Sequence, residues 1–151
     1  MPTVRRPSPV RLVAAACAVV VSVGALPGCG PPEAPPEPEA KVRLQKVLRL
    51  YQVYVERNKK GPPDAQALKA FGQKLTPQER DEYLIGDDLE SIWVSPRDNQ
   101  PYEVRYNLRL DPAQNRAVAW EAVGKDGNRY VALSTGYVEE YDDATFREYK
   151  Q

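Results

Sequence analysis

Histidine is absent from all 151 residues, and cysteine occurs only twice, at Cys17 and Cys29. Without imidazole, the usual general base for a serine or cysteine nucleophile is missing, and so is the commonest metal ligand. With no thiol after residue 29, that part of the chain can form neither a disulfide framework nor a Cys/His zinc site. An excess of one charge is lacking too, since 21 Lys and Arg residues face 21 Asp and Glu residues. Arg5, Arg6 and Arg11 all precede the apolar run, and setting them aside leaves 18 cationic residues against 21 anionic ones. Neither sign dominates, which argues against a nucleic-acid partner. A serine–lysine pair at the SxxK spacing, a phosphate-cradling glycine loop and a dinucleotide fingerprint are also missing. No cofactor and no metal are expected.

What is present first is an address. The basic segment at Arg5, Arg6 and Arg11 leads into residues 12–26, a stretch of 15 residues without a charge. A membrane-spanning helix needs about 20 apolar residues, so the run suits the core of a secretory signal peptide better. Pro7, Ser8 and Pro9 follow the arginine pair and do not resemble a twin-arginine signal; general secretion fits better. Two alternatives remain for this segment: an uncleaved anchor helix, and cleavage by the ordinary signal peptidase beside an incidental cysteine.

The run closes on Leu26-Pro27-Gly28-Cys29. This resembles the lipobox of bacterial lipoproteins, with proline at a less usual position. The resemblance implies a diacylglyceryl group on the Cys29 thiol, cleavage between Gly28 and Cys29, and acylation of the new amine. It places the chain in the cell envelope, facing the periplasm or the surface. Gly30 follows the cysteine in place of the aspartate of inner-membrane retention, which slightly favours the outer membrane. Residues 1–28 are then the leader and residues 29–39 a lipidated cysteine with its tether. Half of residues 30–39 are proline and three are glutamate. Such a segment is expected to be extended and solvated, spanning about 30 Å. A PxxP ligand is the lesser alternative.

Residues 40–151 are read as a single α+β domain. A helical pattern over residues 39–60 carries Val42, Leu44, Val47, Leu48, Tyr51, Tyr54 and Val55 at three- and four-residue steps. Gly61-Pro62-Pro63 ends it. Asp64 is expected to cap a short helix holding Leu68 and Phe71, and Thr76-Pro77-Gln78-Glu79 a further one through Tyr83. Trp93 is expected in the core. The period then switches to two. Tyr102, Val104, Tyr106 and Leu108 suggest one strand. Residues 117–123 suggest another, with Val118, Trp120 and Ala122 on one face. Lys125-Asp126-Gly127-Asn128 is a hairpin signal. Strands over residues 129–134 and 137–141 follow, and Asp142 is placed to cap a terminal helix bearing Phe146 and Tyr149. The expected architecture is a long N-terminal helix plus short helices on a roughly four-stranded antiparallel meander, with a short C-terminal helix.

Asn99-Gln100-Pro101-Tyr102 and Val123-Gly124-Lys125-Asp126-Gly127 carry a second resemblance, together with the helix-to-Gly-Pro-Pro passage. Over about 80 residues this layout resembles the periplasmic domain of the major pseudopilins of type II secretion and of related type IV pilin-like proteins. The chain departs from that family in having a lipobox and a proline tether where the prepilin signal would stand, and further elements after Asp126-Gly127. Asp142-Asp143 is a poor match to the family's calcium loop.

Three functional classes follow. The favoured one is a non-enzymatic envelope lipoprotein, anchored through its lipid, that works by contact with a protein partner as an interaction or assembly component. Such a protein should show an exposed apolar patch or a free strand edge, expected at residues 137–141. The alternative is a glycan- or peptide-binding module on an aromatic sheet face, built from some of the nine tyrosines and two tryptophans. A hydrolase is the third. It would require Asp87, Asp88 and Glu90, or Glu139, Glu140, Asp142 and Asp143, to converge in a pocket, because Ser91, Ser95 and Ser134 have no base to activate them.

Overall fold

The computed structural model describes residues 37–111 and 113–150. The leader, Gly28, Cys29, nearly all of the tether, and Pro112 lie outside the described residues.

Helix α1 (Glu39–Asn58) starts on Pro38, whose carbonyl accepts the first intrahelical bond from Val42 N–H at 3.1 Å. Leu44, Val47, Leu48 and Tyr51 recur at helical spacing and are all buried. Lys59 closes the helix in the left-handed conformation, its N–H bonded to Val55 O. Helix α2 (Ala65–Lys74) is capped by Asp64, which accepts a bond from Ala67 N–H. Its Phe71 meets Tyr54 of α1 edge-on, with 5.1 Å between ring centroids. Helix α3 (Pro77–Glu82) has a capping box in which Thr76 and Glu79 satisfy each other's backbone N–H groups. It ends one residue before Tyr83, because Leu84 is left-handed at φ +55°. A 3-10 turn (Ser91–Trp93) then buries Ile92 and Trp93.

The sheet contains β1 (Glu103–Val104), β2 (Ala117–Trp120), β3 (Asn128–Leu133) and β4 (Val138–Asp142), in that order, with every pair antiparallel. Helix α4 (Asp143–Tyr149) follows directly, capped by Asp142. The β2–β3 connection turns on Asp126 and Gly127, at φ +54° and +76°. Positive φ at both central residues is the hairpin geometry whose twist matches the strands.

Two strands depart from expectation. The first is only two residues long. Asn107 takes φ +57° and donates its N–H to Pro62 O, while the Tyr51 hydroxyl bonds both the N–H and the C=O of Leu108. The segment therefore leaves the sheet and docks on the end of α1. The second is β2, where the pairing register shifts between Ala117 and Ala119. A bulge sends side chains to opposite faces from those a plain alternation gives. Val118 packs with α1, whereas Trp120 joins Phe146 on the other side, so the two do not share a face. Ala122 lies beyond the strand.

The sheet is thus covered twice. On one side α1 packs on Val118, Ala119, Tyr130, Ala132 and Val138. On the other, Phe146 of α4 closes a smaller cluster of Ala117, Trp120, Val131 and Leu133.

Candidate functional site

Strand β4 is the last in the sheet. Leu133 N–H donates to Tyr137 O at 2.8 Å, and Asp143 N–H donates to Gly127 O at 3.1 Å. In an antiparallel ladder this phase turns residues 137, 139, 141 and 143 toward β3. The N–H and C=O groups of Val138 and Glu140 consequently face outward. Tyr137, at the head of the strand, is 68% exposed.

Behind this edge lies a buried polar cluster. Glu121 is fully buried. Ser95 Oγ donates to its Oε1 at 2.6 Å, and Tyr130 N–H donates to its Oε2 at 2.9 Å. Arg97 Nη1 sits 3.6 Å from Glu121 Oε2 and 2.8 Å from Glu140 Oε1, with its guanidinium 4.5 Å from the centroid of the Tyr130 ring. One cation therefore links the loop, the hairpin and the edge strand. Burial works against the charge on Arg97, but the hydrogen bond to Glu140 and the field of Glu121 raise its pKa. Asp98, next along the loop, accepts N–H bonds from Gln100, Val123 and Gly124. Burial opposes its ionisation, yet those backbone donors hold its carboxyl below the usual range. Gly124 is at φ +77°, and a Cβ there would stand 2.2 Å from Asn128 O. Only glycine lets this arm of the hairpin lie so close to Asn128 and Arg129 of the other arm.

The sequence reading did not single out Arg97, Asp98 or Glu121. A carboxylate inside the apolar run Ala117-Val118-Ala119-Trp120-Glu121-Ala122-Val123 was the available signal. Simple alternation puts Glu121 on the face opposite Trp120 and gives no sign that this face is buried as well.

The residues that could have carried catalysis are dispersed. Asp88 accepts from Ser91 N–H, and Asp87 lies 3.6 Å from Arg80. In the second acidic group, Glu140 pairs with Arg97, Asp143 pairs with Arg129, Asp142 caps α4, and Glu139 accepts from the Tyr141 hydroxyl. Among the described residues no three Asp, Glu, Cys or His side chains gather to hold a metal. Ser95 is buried with its proton directed to Glu121, and Ser134 Oγ donates to Gln114 O. An open depression of about 500 Å³, lined by Leu108, Arg109, Leu110, Asp111, Gln114 and Arg116, contains a single carboxylate.

The aromatic side chains are largely occupied within the domain. Tyr51 is buried and its hydroxyl pushed up to about 12 by that burial. Tyr102 is buried with its hydroxyl on Ala40 O, Tyr130 lies beneath Arg97, and Trp120 sits 5.6 Å from Phe146. Tyr141 stacks on Tyr149 at 4.8 Å. Among the described residues no helix is long and apolar enough to cross a membrane. Cys29 and Gly28, the expected lipidation and cleavage residues, fall outside the description. No protein-family model, no curated protein and no solved structure matches this chain.

Proposed function

We propose that this protein is a non-enzymatic lipoprotein of the bacterial cell envelope, held at the membrane through Cys29 and acting by contact as an interaction or assembly component. The observation that carries the reading is Leu26-Pro27-Gly28-Cys29 closing an uncharged run behind three arginines. Each buried methylene of an acyl chain contributes about 0.8 kcal/mol, and two or more chains hold stably. The domain then needs no lipid-inserting surface of its own. The Pro/Glu segment acts as the spacer, its prolines each fixing φ and donating no hydrogen bond. We also read the long helix on the antiparallel meander as a pilin-like arrangement used without filament assembly. Burial of Leu44, Val47, Leu48 and Tyr51 of α1 within the domain supports this.

The contact reading is supported by the outward backbone of exposed Glu140 and by exposed Tyr137. Dispersal of both acidic groups counts against hydrolysis, and internal packing of the aromatics counts against a sheet-face glycan site. Fractionation of cells expressing wild type and Cys29→Ala tests the anchor. The wild type should pellet with membranes and be released by detergent but not by salt, whereas the variant should be soluble. Retention of the variant in the pellet would overturn the reading.

A further inference from the structure

We propose that the outer edge of β4 accepts an extended, basic segment of a partner protein as an added strand. This rests on the contact reading above and names the partner's chemistry. The two edges of the sheet differ in how they are guarded. The β1 edge is two residues long, follows Pro101 and is cut short by left-handed Asn107. Proline and brevity are common ways of blunting an edge. The β4 edge has neither: residues 137–142 contain no proline, glycine or lysine, and β4 pairs with β3 in unbroken register over its five residues. Its outward N–H and C=O groups at Glu140, which is exposed, are presented for a further ladder, with those of Val138, a residue only 5% exposed, next along the same edge.

Charge selects the occupant. Glu139 is exposed on one face of the strand, with Glu140 on the other. Glu140 and the buried Glu121 share one guanidinium, that of Arg97. A cationic side chain opposite Glu140 supplies the second positive charge this cluster lacks. A second copy of the chain is the wrong occupant. Two-fold pairing of β4 centred on Glu140 would set carboxylate against carboxylate, which is destabilising directly across a ladder.

The test uses the full chain in detergent and a fluorescent peptide of alternating lysine and valine, with alternating glutamate and valine as its counterpart. The lysine peptide should bind, and exchange of the Val138 and Glu140 amides should slow in its presence. Glu140→Pro removes an outward donor and leaves the β3 ladder intact, while Glu140→Gln removes the charge that faces the lysines at an exposed site and keeps an oxygen that can accept from Arg97. Each should weaken binding at least about tenfold, or about 1.4 kcal/mol. Equal binding of the two peptides, no binding of the lysine peptide, unchanged affinity in Glu140→Gln, or a dimer of the chain paired through β4 would each overturn the proposal. None of these results bears on Cys29, whose anchor is read separately by fractionation.

Discussion

One face of the sheet is covered by a 20-residue helix and the other by a seven-residue one. Helix α1 contributes the large side chains Leu44, Leu48 and Tyr51, all essentially inaccessible to solvent. Under α4 lies a smaller cluster, closed by Phe146 with Tyr149 packed beside it. A seven-residue helix does not persist alone in water, so α4 exists only while docked. The α1 side should therefore govern global folding, and the α4 side should govern only local opening.

Truncation on the α1 face gives the largest expected effect. Leu48→Ala should lower unfolding free energy by about 3 kcal/mol, as for other closed core sites, measured by denaturant titration. A loss below about 1 kcal/mol would show that this face does not dominate. Next comes Glu121→Ala, which leaves the Ser95 hydroxyl, the Tyr130 N–H and Arg97 without their shared carboxylate. A loss of about 2–3 kcal/mol is expected, with Glu121→Gln milder because the amide oxygen still accepts. Equal losses in the two variants would mean the cost is the lost charge, since glutamine keeps the volume and one acceptor oxygen.

Phe146→Ala should cost less than the ~3–5 kcal/mol typical of a closed core, because the loss is capped by the free energy of undocking α4. Hydrogen exchange is the sharper readout. Amides of residues 143–149 should lose protection while those of α1 keep theirs, and a uniform loss would erase the distinction between the faces. Asp142→Ala removes the α4 cap and should act in the same place, by about 1 kcal/mol.

The smallest effect concerns pH. The folded Asp98 carboxyl is depressed, so the unfolded chain takes up that proton first as pH falls. Its contribution is present above the ordinary aspartate value of about 3.9 and fades as pH drops toward the lower folded value. Asp98→Asn should flatten the acid limb of the stability curve below about pH 4; an unchanged limb would mean the three N–H bonds carry no linkage.

Local chemistry was legible in the sequence. The Asp64 and Asp142 caps, the Thr76–Glu79 box and the Asp126-Gly127 turn each depend on neighbours within four residues, and each stands where the pattern put it. What was not legible depended on distant partners. Tyr102, Val104, Tyr106 and Leu108 alternate as a strand should, yet the Tyr51 hydroxyl draws Leu108 away from the sheet. No periodicity records a bulge at Ala117/Ala119, so the pattern places Val118 and Trp120 on one face where the structure separates them. The buried cluster at Glu121 needs Ser95 and Arg97 from a loop more than twenty residues away. The edge strand was anticipated at residues 137–141 and lies at Val138–Asp142, because its turn and its following cap are both local signals.

The intact mass of the mature protein, purified from membranes of cells that process it, tests the central claim most directly. The account predicts a chain beginning at Cys29 and carrying diacylglycerol on the sulfur and an acyl group on the amine. A free thiol at Cys29, or a chain still bearing residues 1–28, would contradict it.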